Sequence, residues 1–208
     1  MEMLMMLGAV LRKEIEMIPD ILQRAELEGY TVFKTGAYNL NLIGVRSSQT
    51  TANAFDDTMY CVYRDSSGQW VELSFVITTD PGTFWLANPS RVEGTAILVA
   101  GQYRGTWKLG KHRGKYDALV QTGGKVKVYR DRNRNSILEH DPENIEQGFF
   151  GINIHKSSAV RTSTQVDRWS AGCQVFADPN DYRLFIELCK ISADIYGNSF
   201  SYTLLEDD

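Results

Sequence analysis

The sequence predicts a mainly β fold with α additions (α+β), and three observations predict it. From about residue 30 the chain breaks into short β-type runs bounded by Gly, Asp, Ser and Asn. Helical periodicity is confined to the first 28 residues and to one segment after Cys173. No βαβ unit recurs, so a wound parallel sheet is not expected. The chain divides into an N-terminal helical segment at 1–29 and a second unit at 30–208.

The elements follow in order. Leu11, Ile15, Ile18 and Leu22 recur at helical spacing. Pro19 suits a first helical turn but disfavours helical geometry at Ile18, which predicts two helical pieces with a bend between them. This segment is read as packed on the main body, with contact to a helper partner as the alternative. "YTVFK", "NLNLIGVR", "TMYCVYRD", "WVELSFVITT", "GTAILVAGQYRGTWKLG", "DALVQTGGKVKVYRD" and "GFFGINIH" read as strands. "RDSSGQW" reads as a hairpin turn, and so does the stretch around Gly123 and Gly124, where positive φ is permitted. "DPNDYRLFIELCKISADIYG" is one helix, with Asp178 as N-cap, Pro179 at the first position, Gly197 as the stop and an apolar stripe through Leu184, Leu188 and Ile191. "SFSYTLL" is the last strand.

Composition narrows the function classes. The net charge of −4 argues against nonspecific nucleic-acid binding, which needs a basic surface. No run approaches the roughly 18 apolar residues of a membrane span. The apolar start has an acid at Glu2 and its basic residues only afterwards, with no small-residue cleavage site, so no signal peptide is read. Cys61, Cys173 and Cys189 form no CxxC pair, and an odd count gives no disulfide framework. Cys61 and Cys189 read as core residues. Asp131, Asn133 and Asn135 alternate like the first half of a calcium loop. Ser136 and Pro142 break that pattern and Arg130, Arg132 and Arg134 oppose a cation, so a solvated loop is expected. Neither a cofactor nor a metal is expected.

The chemistry concentrates in "GINIHKSSAVRTSTQVDRWSAGCQVF". Alternation turns Ile152 and Ile154 one way and Asn153 and His155 the other, which puts His155 at a strand end on a polar groove. Cys173 follows Ala171 and Gly172, small residues that let a substrate backbone approach the sulfur and leave peptide N–H groups to face an oxyanion. A thiol beside an imidazole can form a thiolate–imidazolium pair, the strong nucleophile of acyl transfer.

A strand-end His155, 14 intervening residues and then Ser170-Ala171-Gly172-Cys173 resemble the signature of the L,D-transpeptidase catalytic domain (the YkuD-like family). The resemblance covers roughly residues 40–205 loosely and 148–178 well. Three positions depart from the family pattern: Ala171 stands where a histidine is usual, Val175 where Arg or Asn is frequent, and Lys156 where a small residue is common. Papain-like peptidases place Cys before His, and caspases and sortases use a much longer gap.

The resemblance implies a β-sandwich or barrel with a helix after the cysteine, and makes 30–208 an L,D-transpeptidase-like catalytic domain. It implies Cys173 as nucleophile, His155 as base, the N–H groups of Gly172 and Cys173 as oxyanion donors, and the Lys156 carbonyl as the group that orients His155. Ser170 orders the turn or touches substrate. Asn153, Trp169, Ala171, His112 and Arg113 are read as substrate-binding, with His112 an alternative base and "WKLGKHRGKY" either a solvated loop or a basic rim for carboxylates or a glycan phosphate. The implied partner is a peptidoglycan stem peptide, reached after cytoplasmic synthesis as a phage lysin or virion-associated enzyme. A noncatalytic wall-binding or virion structural protein is the alternative.

Overall fold

The computed structural model describes residues 17–48 and 52–207. Of the two expected N-terminal helical pieces, the first lies outside the described residues. The second is α1 (Asp20–Leu27), which begins directly after Pro19. Its face of Ile21, Leu22 and Ala25 is buried against Ile43, Val62 and Leu205, on strands described next.

Strands β1 (Asn41–Arg46), β2 (Asp57–Arg64), β3 (Trp70–Thr78), β5 (Gly101–His112), β6 (Tyr116–Gln121), β9 (Ile154–Lys156), β10 (Gln174–Phe176) and β11 (Phe200–Glu206) close into a barrel in the order β1-β11-β5-β6-β9-β10-β3-β2. β4 (Thr95–Leu98), β7 (Val126–Asp131) and β8 (Ile145–Gly148) form a separate antiparallel sheet. Two further helices are the short α2 (Thr83–Ala87) and the long α3 (Pro179–Tyr196); α3 is legible in the sequence and α2 is not. Among the described residues no helix is long and apolar enough to cross a membrane. The mainly β, α+β expectation is met at this level.

Period-2 alternation builds the barrel. Met59, Cys61 and Tyr63 of β2 and Phe75 and Ile77 of β3 point inward and share one core with Trp107, Phe176, Phe185 and Tyr202. Each such side chain contributes about 1.5–3 kcal/mol on burial. Cys61 and Cys189 are both core residues, as read. Trp107 is fully buried, and its indole N–H donates to the Ile152 carbonyl at 2.7 Å, which ties the approach to β9 into the core.

Several expectations need correction. Tyr30–Lys34 is not a strand. Its backbone is satisfied by side-chain amides: Asn41 brackets Phe33, accepting its N–H at 2.7 Å and donating to its carbonyl at 2.9 Å, and Gln102 does the same for Thr31. "GTAILVAGQYRGTWKLG" is two strands in different sheets, and so is "DALVQTGGKVKVYRD". Gly123 and Gly124 therefore join two sheets instead of closing a hairpin, and neither has positive φ. A Cβ on Gly123 would meet the Gly105 carbonyl oxygen at 2.2 Å, so close approach is what requires the glycine. The "RDSSGQW" hairpin stands, with Asp65 Oδ1 accepting from Ser67 and Gln69 N–H.

In α3, Asp178 caps as expected, accepting from Asn180 N–H at 2.7 Å, and Gly197 ends the helix with φ 88°. The buried face is Tyr182, Phe185, Ile186, Leu188 and Cys189. Of the expected stripe Leu188 is buried, whereas Leu184 (47% exposed) and Ile191 (40%) face outward, because the buried face is centred one residue round the helix.

Candidate active site

Two short parallel strands carry the site. The ladder between β9 and β10 pairs Ile154 with Gln174 and His155 with Val175. One step earlier Asn153 faces Cys173: Gln174 N–H donates to the Asn153 carbonyl at 2.9 Å. Alternation therefore puts Asn153, His155 and Cys173 on one face, with Ile154 and Gln174 buried on the other. Cys173 and His155 are diagonal neighbours, their Cα atoms roughly 8 Å apart by strand geometry.

The turn before Cys173 is built by Ser170. Its buried hydroxyl donates to the Cys173 carbonyl at 2.8 Å and accepts the Gly172 N–H at 3.1 Å. Of the two expected roles for Ser170, the geometry gives turn ordering. It also engages the Gly172 amide that was expected to serve an oxyanion. No protein acceptor is found for the Cys173 N–H among the described residues. Gly172 has φ +111°, and a Cβ there would meet the Ala96 carbonyl oxygen of β4 at 2.0 Å, so only glycine fits.

His155 Nδ1 lies 2.8 Å from the Lys156 carbonyl oxygen. That carbonyl can only accept, so Nδ1 carries the proton and Nε2 the lone pair. The Tyr116 hydroxyl donates to the same carbonyl at 3.3 Å, and the Lys156 ammonium lies over the Tyr116 ring. The His112 ring stacks on His155 with centroids 4.1 Å apart. His112 and Tyr116 are cross-strand partners at the tip of the β5–β6 hairpin, closed by Arg113 and Gly114 with φ of 49° and 71°. "WKLGKHRGKY" is thus a hairpin tip, not a solvated loop.

Cys173 Sγ receives the Asn153 N–H at 3.4 Å and its thiol points at the Gly151 carbonyl at 3.5 Å. It makes no hydrogen bond to His155. Burial holds the His155 imidazole down from 6.5 to about 3, with neighbouring His112 pushing the same way and the Lys156 carbonyl opposing. Burial pushes the Cys173 thiol up from 9.0 to about 11, against the Asn153 hydrogen bond and Arg113. Both shifts favour the neutral forms, a thiol and an uncharged imidazole, over an ion pair in the resting site.

A pocket of about 220 Å³ opens on Cys173, Asn153, Ala171, His112 and Arg113. Of the expected substrate-binding residues only Trp169 is missing from its lining; it is 45% exposed to solvent elsewhere. Trp85 of α2 lines the pocket, its indole N–H bonded to the Arg168 carbonyl at 3.1 Å. Arg91, Arg113 and Arg130 line it, and no carboxylate does. Arg130 is paired with Glu146 at 3.0 Å, whereas Arg91 and Arg113 have no ion-pair partner among the described residues.

Sequence reasoning missed Trp85, Tyr116 and Gln121. Gln121 is buried; its Oε1 accepts from Phe150 and Ile152 N–H, and its Nε2 donates to the Gly148 carbonyl, which shapes the loop before Asn153. After Asp131 the run to Asn135 is exposed, and the Asn133 and Asn135 side-chain oxygens accept from N–H groups of the same loop. Among the described residues no group of three or more His, Cys, Asp and Glu could hold a metal ion. Comparison of the chain with protein-family models, curated proteins and solved structures found no match.

Proposed function

We propose that the chain is an L,D-transpeptidase-like cysteine acyltransferase or peptidase, with the matching fold, acting on peptidoglycan stem peptides and delivered as a phage lysin or virion component. The observation that carries the reading is the shared face of Asn153, His155 and Cys173 on adjacent parallel strands, with His155 Nδ1 bound to the Lys156 carbonyl at 2.8 Å and its Nε2 left as a base. The carboxylate-free pocket with unpaired Arg91 and Arg113 supports an anionic donor peptide, on a chain whose net charge is −4.

The chemistry follows from the neutral resting pair. Cys173 turns from the Gly151 carbonyl towards His155, and a hydrogen bond between them forms when substrate fills the pocket. Sγ attacks the donor carbonyl as its proton passes to His155 Nε2. The oxyanion forms against the Cys173 N–H. The C–N bond breaks, and the imidazolium gives its proton to the leaving amine. A second amine or water then attacks the thioester, passes a proton to Nε2, and the thiolate leaves to recover that proton.

The second reading, a noncatalytic wall-binding or virion structural protein, is favoured by one observation: the thiol has no hydrogen bond to His155 and is held protonated. Sacculus digests separate the two. New cross-links or shortened stem peptides with the wild type, absent with Cys173→Ala, support catalysis. Identical digests from both folded proteins, with retention on sacculi, support binding.

A further inference from the structure

His155 has a partner ring whose proton can be located from its neighbours. Asn153 Oδ1 accepts the Gln121 backbone N–H at 3.0 Å, and a backbone N–H can only donate, so that terminal atom is the oxygen. The other terminal atom, Nδ2, can only donate, and it lies 3.2 Å from His112 Nδ1. His112 Nδ1 must therefore hold a lone pair, and Nε2 holds the proton. His155, bound through Nδ1 to a carbonyl, has the opposite tautomer. Two stacked imidazoles thus present opposite functions at Nε2: a lone pair on His155 and an N–H on His112.

The His112 Nε2–H has no protein acceptor among the described residues, and it is not sealed from solvent. The ring is only 8% exposed, and it lines the pocket that opens on Cys173. Beside Cys173 the Gly172 amide is already given to Ser170 Oγ. The Cys173 centre therefore lacks one backbone donor and has an unengaged imidazole donor on its wall.

The geometry points to His112 as a catalytic residue distinct from the base: a neutral Nε2–H donor that takes the carbonyl oxygen of the scissile amide and completes the oxyanion site that the Gly172 amide leaves open. This inference rests on the acyl-transfer reading of Cys173. It excludes the alternative role of His112 as base, because Nε2 is protonated and Nδ1 is occupied. Three features keep the ring uncharged. Burial, then Arg113, holds its basicity below the ordinary histidine range. Protonation at Nδ1 would set an N–H against the Asn153 NH2. A cation on His112 would also face the imidazolium that forms on His155, 4.1 Å away. Asn153 acts as a positioning residue, since its amide fixes which nitrogen of His112 donates.

The test has a spectroscopic arm and a kinetic arm on the full chain. Long-range 1H–15N spectra at pH 7.5 should show His112 protonated at Nε2 and His155 at Nδ1. Asn153→Asp, whose carboxylate accepts from Nδ1, should reverse the His112 tautomer. In the kinetic arm, acylation of Cys173 by a soluble disaccharide-tetrapeptide is followed by intact mass. His112→Phe should slow acylation about 10²–10³-fold, the cost of one oxyanion donor. His112→Gln, which returns an N–H near the Nε2 position, should recover to within about tenfold of wild type. A wild-type His112 that is protonated at Nδ1 or doubly protonated overturns the proposal. So does a His112→Phe protein that acylates as fast as wild type. An acylated wild type with the wrong tautomer removes His112 alone. A wild type with the right tautomer and no acylation removes the reading of Cys173 and the oxyanion role with it.

Discussion

The Cys173 thiol should be slow towards a small electrophile in the free protein. Its proton is held to about 11 against an ordinary 9.0, so at pH 7 the thiolate fraction falls about a hundredfold. A more basic thiolate is intrinsically more nucleophilic, and with a Brønsted slope of about 0.4–0.5 that recovers nearly tenfold. Alkylation by iodoacetamide at pH 7 should therefore run about tenfold slower than for a free thiol. Because His155 does not hold the sulfur in an ion pair, His155→Gln should leave this rate within about twofold. Peptide mapping by mass spectrometry separates Cys173 from Cys61 and Cys189, which are fully buried. A wild-type alkylation profile with an apparent pKa below about 7.5, or a rate that collapses in His155→Gln, would refute the neutral-pair reasoning and establish a preformed thiolate–imidazolium pair.

Two further outcomes follow from the same geometry. His155 is neutral when folded and takes a proton below about 6.5 when unfolded, so its contribution is fully present above that pH and is lost as pH falls towards about 3. Between pH 7 and 4.5 the wild type should lose about 2.5 kcal/mol more than His155→Gln in urea unfolding, a difference that cancels the opposing Asp57, raised to about 6 by burial in both proteins; equal losses would contradict the burial of His155. Gly172→Ala forces a Cβ to within 2.0 Å of the Ala96 carbonyl at φ +111°, and should cost about 3–5 kcal/mol. Gly114→Ala, at φ +71° with open space around it, should cost only about 1–2 kcal/mol, and similar losses for the two would show that the turn yields easily.

What was legible in the sequence was local. Alternation and turn chemistry located β2, β3 and their hairpin, and capping chemistry located α3. The Lys156 carbonyl on His155 and the Ser170 turn are contacts within a few residues of their partners, and both stood in the reading of the motif. What failed was decided over distance. Tyr30–Lys34 has strand-like residues, but Asn41 and Gln102 reach its backbone first. Gly123 and Gly124 look like a hairpin, but the strands they join pair with other partners. Trp169 has the right neighbour in sequence, yet Trp85 lines the pocket because α2 lies against the loop that ends at Ser170, where Gly82 N–H meets the Ser170 carbonyl at 3.0 Å. The protonation of Cys173 and His155 depends on burial, which composition around a motif does not report.

The central claim is that Cys173 carries an acyl group. The direct measurement is acid-quenched intact-mass analysis of the full chain after incubation with a disaccharide-tetrapeptide, followed by mapping of the modified residue. The account predicts an adduct equal to the donor less its leaving residue, on Cys173, absent in Cys173→Ala and strongly delayed in His155→Gln. A folded wild type that gains no adduct across several stem compositions, or gains it on another residue, would contradict it.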